Sequence, residues 1–277
     1  MEIQKSSLRI GTTSYILADD ILPNVRYLAP LVDDIELVLF ESQGEDNFPS
    51  RQVISELKTL ASDFDLTYTI HFPLDVFPGS MLKSVRKKTL ETYLQVIDLT
   101  TDLDPFGYIL HLTPDQWATL PSTNIPLWQE CLDESLGLLL ARSGLEPTMF
   151  CAETLSYPFS YVLPLVEKYD LAVTLDIGHI WLMDYDDTQA CSSLLPKTRV
   201  CHLHGVAEGK DHQSLEVGKP RDIGFFLDSL RAQDADGKKR VLTLEVFNEH
   251  DFSSSLALLA KDHGIMGKMG GLSNVRN

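Results

Sequence analysis

Six short apolar runs of this 277-residue chain end on a histidine or a carboxylate. In "LTYTIHF", Thr67, Thr69 and His71 fall on one side of an extended strand, opposite Leu66, Tyr68, Ile70 and Phe72, because successive side chains alternate. The same alternation sets His111 opposite Leu110 and Leu112 in "YILHLT", and puts Glu153 beside Cys151 in "MFCAET". Asp176 shares a face with Thr174 in "AVTLDI", His202 with His204 in "VCHLHG", and Glu245 with Thr243 in "VLTLEVF". A single histidine or glutamate at a strand end is ordinarily a hydrogen-bonded polar group. Six that converge need another explanation. Three carboxylates close together in a partly desolvated mouth repel by on the order of several kcal/mol per close pair, and divalent cations remove that conflict. Histidine mixed with carboxylate is a ligand set for zinc, manganese or iron. The stretch "VTLDIGHIW" adds a seventh candidate: His179 lies three residues beyond Asp176, and a turn at Gly178, which has the backbone freedom for it, would bring both to one centre.

Such convergence requires a scaffold that gathers strand ends. The hydrophobic pattern predicts strands over 8–13, 34–40, 66–71, 107–112, 148–153, 171–176, 199–204 and 240–245. Helical patterns alternate with them over 20–30, 50–63, 84–103, 125–142, 157–169, 187–195, 221–235 and 252–263. Eight strand–helix units make a single (β/α)8 barrel, an α/β fold of about 250 residues, the expected architecture. A doubly wound sheet would open on a glycine-rich phosphate turn, and "RIGTTSY" holds no GxGxxG. No linker divides the chain, so residues 1–265 are expected as one barrel domain and the glycine-rich 266–277 as a loose tail. The connections 72–83 and 205–220 are long and follow strands, which places them on the catalytic face of a barrel.

Forty acidic residues against 23 basic ones give a net charge of −17, which argues against a nucleic-acid partner. No apolar run is long enough to span a membrane, and the first residues do not read as a secretion signal. Four cysteines without CxxC spacing suggest no disulfide framework, so a reducing cytoplasm is the expected compartment.

The motifs "HFP" at His71, "LHL" at His111, "CAET" at Glu153, "DIGH" at Asp176 and His179, "HLHG" at His202, "DHQ" at His212 and "LEVF" at Glu245 resemble the xylose isomerase-like barrels. That superfamily includes endonuclease IV and many sugar isomerases and epimerases. The resemblance to its endonuclease-like branch implies two to three divalent ions (Zn, Mn or Fe) on His71, His111, Glu153, Asp176, His179, His202, His212 and Glu245. Where that branch has Asp-x-His, this chain reads Lys210-Asp211-His212, which leaves Asp211 as a possible substitute. Glu153, Asp176, His202 and Glu245 also match the single-metal set of the epimerase branch, and the four further histidines favour a multinuclear, phosphoester-cleaving site.

"IGTTSYIL" and "DDILPNVRYLAPLVDDIELVLFES" in the N-terminal third are similar to the cobamide-remodelling phosphodiesterases, which cut the nucleotide-loop phosphoester of vitamin B12-type cofactors. The resemblance therefore implies a metal-dependent phosphodiesterase with a corrinoid as its small-molecule substrate, and Glu153 and Glu245 as catalytic carboxylates. His204, Lys83, Arg86 and Glu36 are candidates for contact with substrate, each with a structural alternative: a hydrogen-bonded support for His204 and Glu36, a solvated helix face for Lys83 and Arg86. Aromatic residues after strands, such as Phe72, Phe77, Tyr157, Phe159, Trp181 and Tyr185, could pack a flat ligand or simply the core. The basic run Lys238 to Arg240 precedes a strand, on the non-catalytic face, and is assigned no role. Two other functions remain open: a single-metal sugar or sugar-phosphate epimerase, and a corrinoid-binding protein without catalysis.

Overall fold

The apolar runs form eight parallel strands: β1 (Leu8–Thr13), β2 (Asp34–Val38), β3 (Thr67–His71), β4 (Gly107–Leu110), β5 (Phe150–Glu153), β6 (Ala172–Asp176), β7 (Thr198–Leu203) and β10 (Arg240–Leu244). They close into one barrel, each strand bonded to the next and β10 to β1, in this computed structural model, which describes residues 8–40, 42 and 47–268. A short antiparallel hairpin, β8 (Gly205–Ala207) and β9 (Lys210–Gln213), lies outside the barrel's hydrogen bonding. Nine helices are described: α1 (Ile21–Leu28), α2 (Arg51–Phe64), α3 (Lys83–Thr100), α4 (Ile125–Ser143), α5 (Leu163–Lys168), α6 (Ile177–Leu182), α7 (Asp187–Leu194), α8 (Pro220–Gln233) and α9 (Glu249–His263).

The expected strands and helices are all present. The pattern over 157–169 divides into a 3-10 turn, Phe159–Tyr161, and α5. Two elements had no expectation. α6 is only six residues long, too short for a period to show, and the hairpin is a three- and a four-residue strand inside a long connection. Of the expected tail, Lys268 is tied to the barrel through its N–H to the Leu31 carbonyl at 3.0 Å, and 269–277 lie outside the described residues.

Alternation divides the core in two. Outward-facing side chains such as Tyr68, Ile70, Leu110, Ala152, Leu175 and Leu203 join the large sheet–helix core. Inside the lumen, Ile109, Cys151, Ala172 and Val200 form a small apolar plug with Phe106 against it. Two residues further along three of those strands come His111, Glu153 and His202, and beyond Ala172 come Thr174 and Asp176. The period of two therefore lifts ligand-type residues onto the plug's upper side. Nearer the start of β2, the buried Asp34 accepts hydrogen bonds from Thr67 Oγ1 at 2.5 Å and Thr69 Oγ1 at 3.0 Å, and burial still pushes its carboxyl up to about 7.

The connection after β4 is fastened from beneath. Trp128 of α4 is fully buried, donates from Nε1 to the Thr113 carbonyl at 2.9 Å, and meets Tyr157 edge-on at 5.3 Å. Tyr157 in turn donates to the Leu112 carbonyl at 2.7 Å. Trp128→Ala would leave a cavity and an unpaired carbonyl beside His111. It should cost about 3–5 kcal/mol of stability, measured by urea unfolding.

Candidate metal centre

Among the described residues, three groups of ligand-type side chains meet at the C-terminal ends of the strands: His71, His111 and Glu153; Glu153, Asp176, His202 and Glu245; and Asp176, His179, His204 and His212. Within each group the ligand atoms lie within 4.8 Å of one another. Glu153 joins the first two. Its Oε2 faces His111 Nε2 at 2.9 Å and His71 Nε2 at 3.5 Å, while its Oε1 faces His202 Nδ1 at 3.5 Å and His179 Nδ1 at 3.7 Å. Glu245 Oε2 lies 3.0 Å from His202 Nδ1 and 3.4 Å from His212 Nε2.

The fold fixes the imidazoles by their other nitrogens. His71 Nδ1 donates to the Phe72 carbonyl at 2.7 Å, and His179 Nδ1 to the Thr154 carbonyl at 3.0 Å, so each carries Nε2 as its free nitrogen. His202 reverses this. Its Nε2 is bonded to Glu36 Oε2 at 2.9 Å and its Nδ1 points into the cluster. Carbonyl and carboxylate partners of this kind set tautomer and ring angle in metal sites.

Asp176 and His179 come together through a helix cap. Asp176 ends β6 and caps α6, its Oδ1 accepting the His179 N–H at 2.7 Å. Three residues on is where a capping side chain reaches, which is why the spacing recurs here. The expected reason for Gly178 needs correcting. Its backbone is helical, and what it supplies is room: an added Cβ would sit 2.1 Å from His204 Cε1. His204 itself is fully buried. Its Nδ1 accepts the His212 amide N–H at 3.0 Å, which leaves Nε2 to face Asp176 Oδ1 at 3.2 Å. With Nδ1 taken by the hairpin amide and Nε2 facing Asp176, His204 ties the hairpin to the end of β6 from within the third ligand-type group. Glu36 is fully buried and bonded to His202, the arrangement of the supporting alternative.

The hairpin supplies the remaining candidate ligands. His212 takes the left-handed conformation, φ 51°, and Asp211 reaches His179 Nε2 at 3.8 Å and His212 Nδ1 at 3.2 Å. Asp211 thus stands with the two histidines, one position away from where the family pattern has its aspartate.

Burial opposes every charge here, and the neighbours overcome it. His202 is raised well above the usual imidazole range by Glu245, Glu36 and Glu153, and His212 to about 10, chiefly by Glu245. His71 and His179 move the same way. Against the same burial, His111 and His202 hold Glu153 well below the usual carboxylate range, His202 and His212 do so for Glu245, and His179 and His204 bring Asp176 to about 2. Without cations, protons on the imidazoles neutralise the carboxylates. Divalent ions fit this donor set, because His202 Nδ1 and Glu245 Oε2 are buried without a hydrogen-bond partner while facing each other.

Lys83 and Arg86 are not among the gathered residues. Both pair with Glu134 of α4, and Arg86 also donates to the Ser80 carbonyl. Phe72, Tyr157 and Phe159 are buried, Trp181 Nε1 donates to Asp187, and Tyr185 to the Ser156 carbonyl, so these aromatics serve packing. Two others stand beside ligands instead. Trp117, 55% exposed, lies 5.5 Å from the His179 ring, and Phe247 lies 5.4 Å from His212. Phe247 could have been found two residues past Glu245 on the same face; Trp117 sits in a loop whose path no period reveals.

Gly178→Ala would drive a methyl group into His204. It should cost about 1–3 kcal/mol in urea unfolding and reduce bound metal on direct assay. The stability of the metal-free chain should also depend on pH from both sides. Raised imidazoles contribute fully below the unfolded value near 6.5 and lose that contribution as pH rises, at His212 through about 10. Depressed carboxylates contribute above about 4 and lose it as pH falls, at Asp176 through about 2. Melting temperature should therefore peak at about pH 4.5–6.5, and loading with divalent ions should move the peak upward.

Comparison with known proteins bears on the fold and the family. No curated protein matches the chain significantly in sequence. Among solved structures, a D-tagatose 3-epimerase-like protein superposes with TM-score 0.73 at 21% identity, over 91% of this chain and 96% of the other. The 3-keto-D-glucoside 4-epimerase of E. coli gives 0.69 at 16%, over 91% and 98%. Endonuclease IV from Thermus thermophilus gives 0.68 at 16%, over 93% and 100%. At such identities the likeness is one of fold. The model of the xylose isomerase-like TIM barrel family matches residues 32–265, and the chain belongs to that family.

Proposed function

We propose that this protein is a metal-dependent phosphodiester hydrolase. The observation that carries the reading is the division of the Glu153 carboxylate, with Oε2 turned to His71 and His111 and Oε1 to His202. One carboxylate shared in this way can bridge two cations. His71 and His111 would hold one with Glu153, and Asp176, His202 and Glu245 a second; His179, His212 and Asp211 offer a third position. Bound divalent ions would supply charge to the phosphate oxygens and acidify an attacking water. The chain's own contribution is to keep Glu153 and Glu245 ionised as acceptors for a water proton and to fix the histidines through Glu36 and the carbonyls of Phe72 and Thr154. The acidic surface suits a substrate with one phosphodiester better than a polynucleotide. A cobamide, the substrate class implied by the N-terminal sequence resemblance, is the specific candidate.

A second reading has its own support. Glu153, Asp176, His202 and Glu245 form a four-residue shell sufficient for one metal, and several of the similar folds are sugar epimerases. Fold likeness favours this reading; the surplus of histidines favours the first. In an epimerase, Glu153 and Glu245 would pass a proton at a carbon beside a carbonyl. Elemental analysis of protein purified without chelators should find two or three zinc, manganese or iron ions per chain. The loaded protein should cleave a cobamide's phosphodiester, and Glu153→Gln should abolish that cleavage with the fold intact. One ion per chain and turnover of ketoses would establish the epimerase instead.

A further inference from the structure

At the opposite end of the barrel, beneath the lumen plug, lies a cavity of about 490 Å³ with several charged side chains in its walls. Its walls come from the starts of several strands: Phe106 before β4, Ala172 opening β6, Arg199 in β7, and Lys238 and Lys239 just before β10. Phe106 and Ala172 also touch the plug, so apolar side chains separate this cavity from the metal ligands.

Its charge is opposite to that of the molecule. Lys197, Arg199, Lys238 and Lys239 line it, with Asp170 the one carboxylate, in a chain whose net charge is −17. The four cations come from two separate segments, so the gathering is a product of the fold and not of one basic run. Arg199 is pinned: its guanidinium stacks 4.8 Å from the Phe106 ring centroid and donates from Nη2 to the Phe106 carbonyl at 2.6 Å. Its Nε is buried without an acceptor among the described residues. Lys238 is steered by a bond to the Pro196 carbonyl at 2.7 Å. Four cations lining one cavity large enough for a small molecule form a site for an anion.

We propose that this cavity binds a phosphate-bearing small molecule, at a site separate from the metal centre. Phosphate suits the donors: a planar guanidinium fixed on an aromatic ring, with ammonium groups lining the same cavity. The proposal does not depend on which reaction the metal centre performs.

Calorimetric titration of the full metal-loaded chain with inorganic phosphate and with adenosine monophosphate tests it. We expect saturable binding of at least one of the two probes that survives Glu153→Gln. The double substitution Lys238→Gln/Lys239→Gln, at exposed positions, should weaken it by about tenfold or more, and Arg199→Gln by a similar factor. Equal affinity for the two probes would identify free phosphate as the ligand chemistry, and tighter binding of the nucleotide a larger phosphorylated molecule. No saturable binding, binding indifferent to the lysine pair, or binding removed by Glu153→Gln would overturn the proposal.

Discussion

Three buried carboxylates, Glu153, Asp176 and Glu245, share the mouth of one barrel, and each can remain ionised only if positive charge surrounds it. The organisation of the catalytic face follows from that requirement. Histidines come from strand ends, a short helix and a hairpin because no single element can encircle a carboxylate. Protons or divalent ions can meet the demand, but only cations can do so while leaving the imidazoles neutral. The apolar plug of Ile109, Cys151, Ala172 and Val200 keeps the charged layer on one side of the lumen.

The supports are as telling as the ligands. Backbone carbonyls of Phe72 and Thr154 orient two imidazoles, Glu36 orients a third, and the His212 amide fixes a fourth, His204, whose Nε2 faces Asp176. A site that spends this many groups on orientation requires fixed geometry. The contest between hydrolysis and epimerisation is then about how many of the oriented positions are filled, since both chemistries could use the same carboxylates.

Strand period made most of this site legible. A residue at a strand's end on the lumen face has one place to go, so His71, His111, Glu153, Asp176, His202 and Glu245 could be assembled from alternation alone. Roles were harder to read than positions. His204 and His202 share a face, yet Nδ1 of the first is taken by a backbone amide while Nδ1 of the second points into the cluster. What separates them is the path of the hairpin, which passes its amide to His204. Gly178 was expected to serve the backbone and instead serves a neighbouring ring, a contact made across sequence distance. Lys83 and Arg86 carry charge near a long loop, but charge on a helix also pairs with the next helix, here through Glu134.

The hairpin of β8 and β9 stands outside the barrel's closed circuit of hydrogen bonds, yet it carries Asp211 and His212. The capacity of the mouth for cations is therefore partly uncoupled from the folding of the barrel. A connection of altered length between β7 and α8 could withdraw one group of ligands and leave the Glu153-centred pair whole. Within such a scaffold, a change in ion stoichiometry, and with it a change of reaction, is open to insertion and deletion as well as to point substitution.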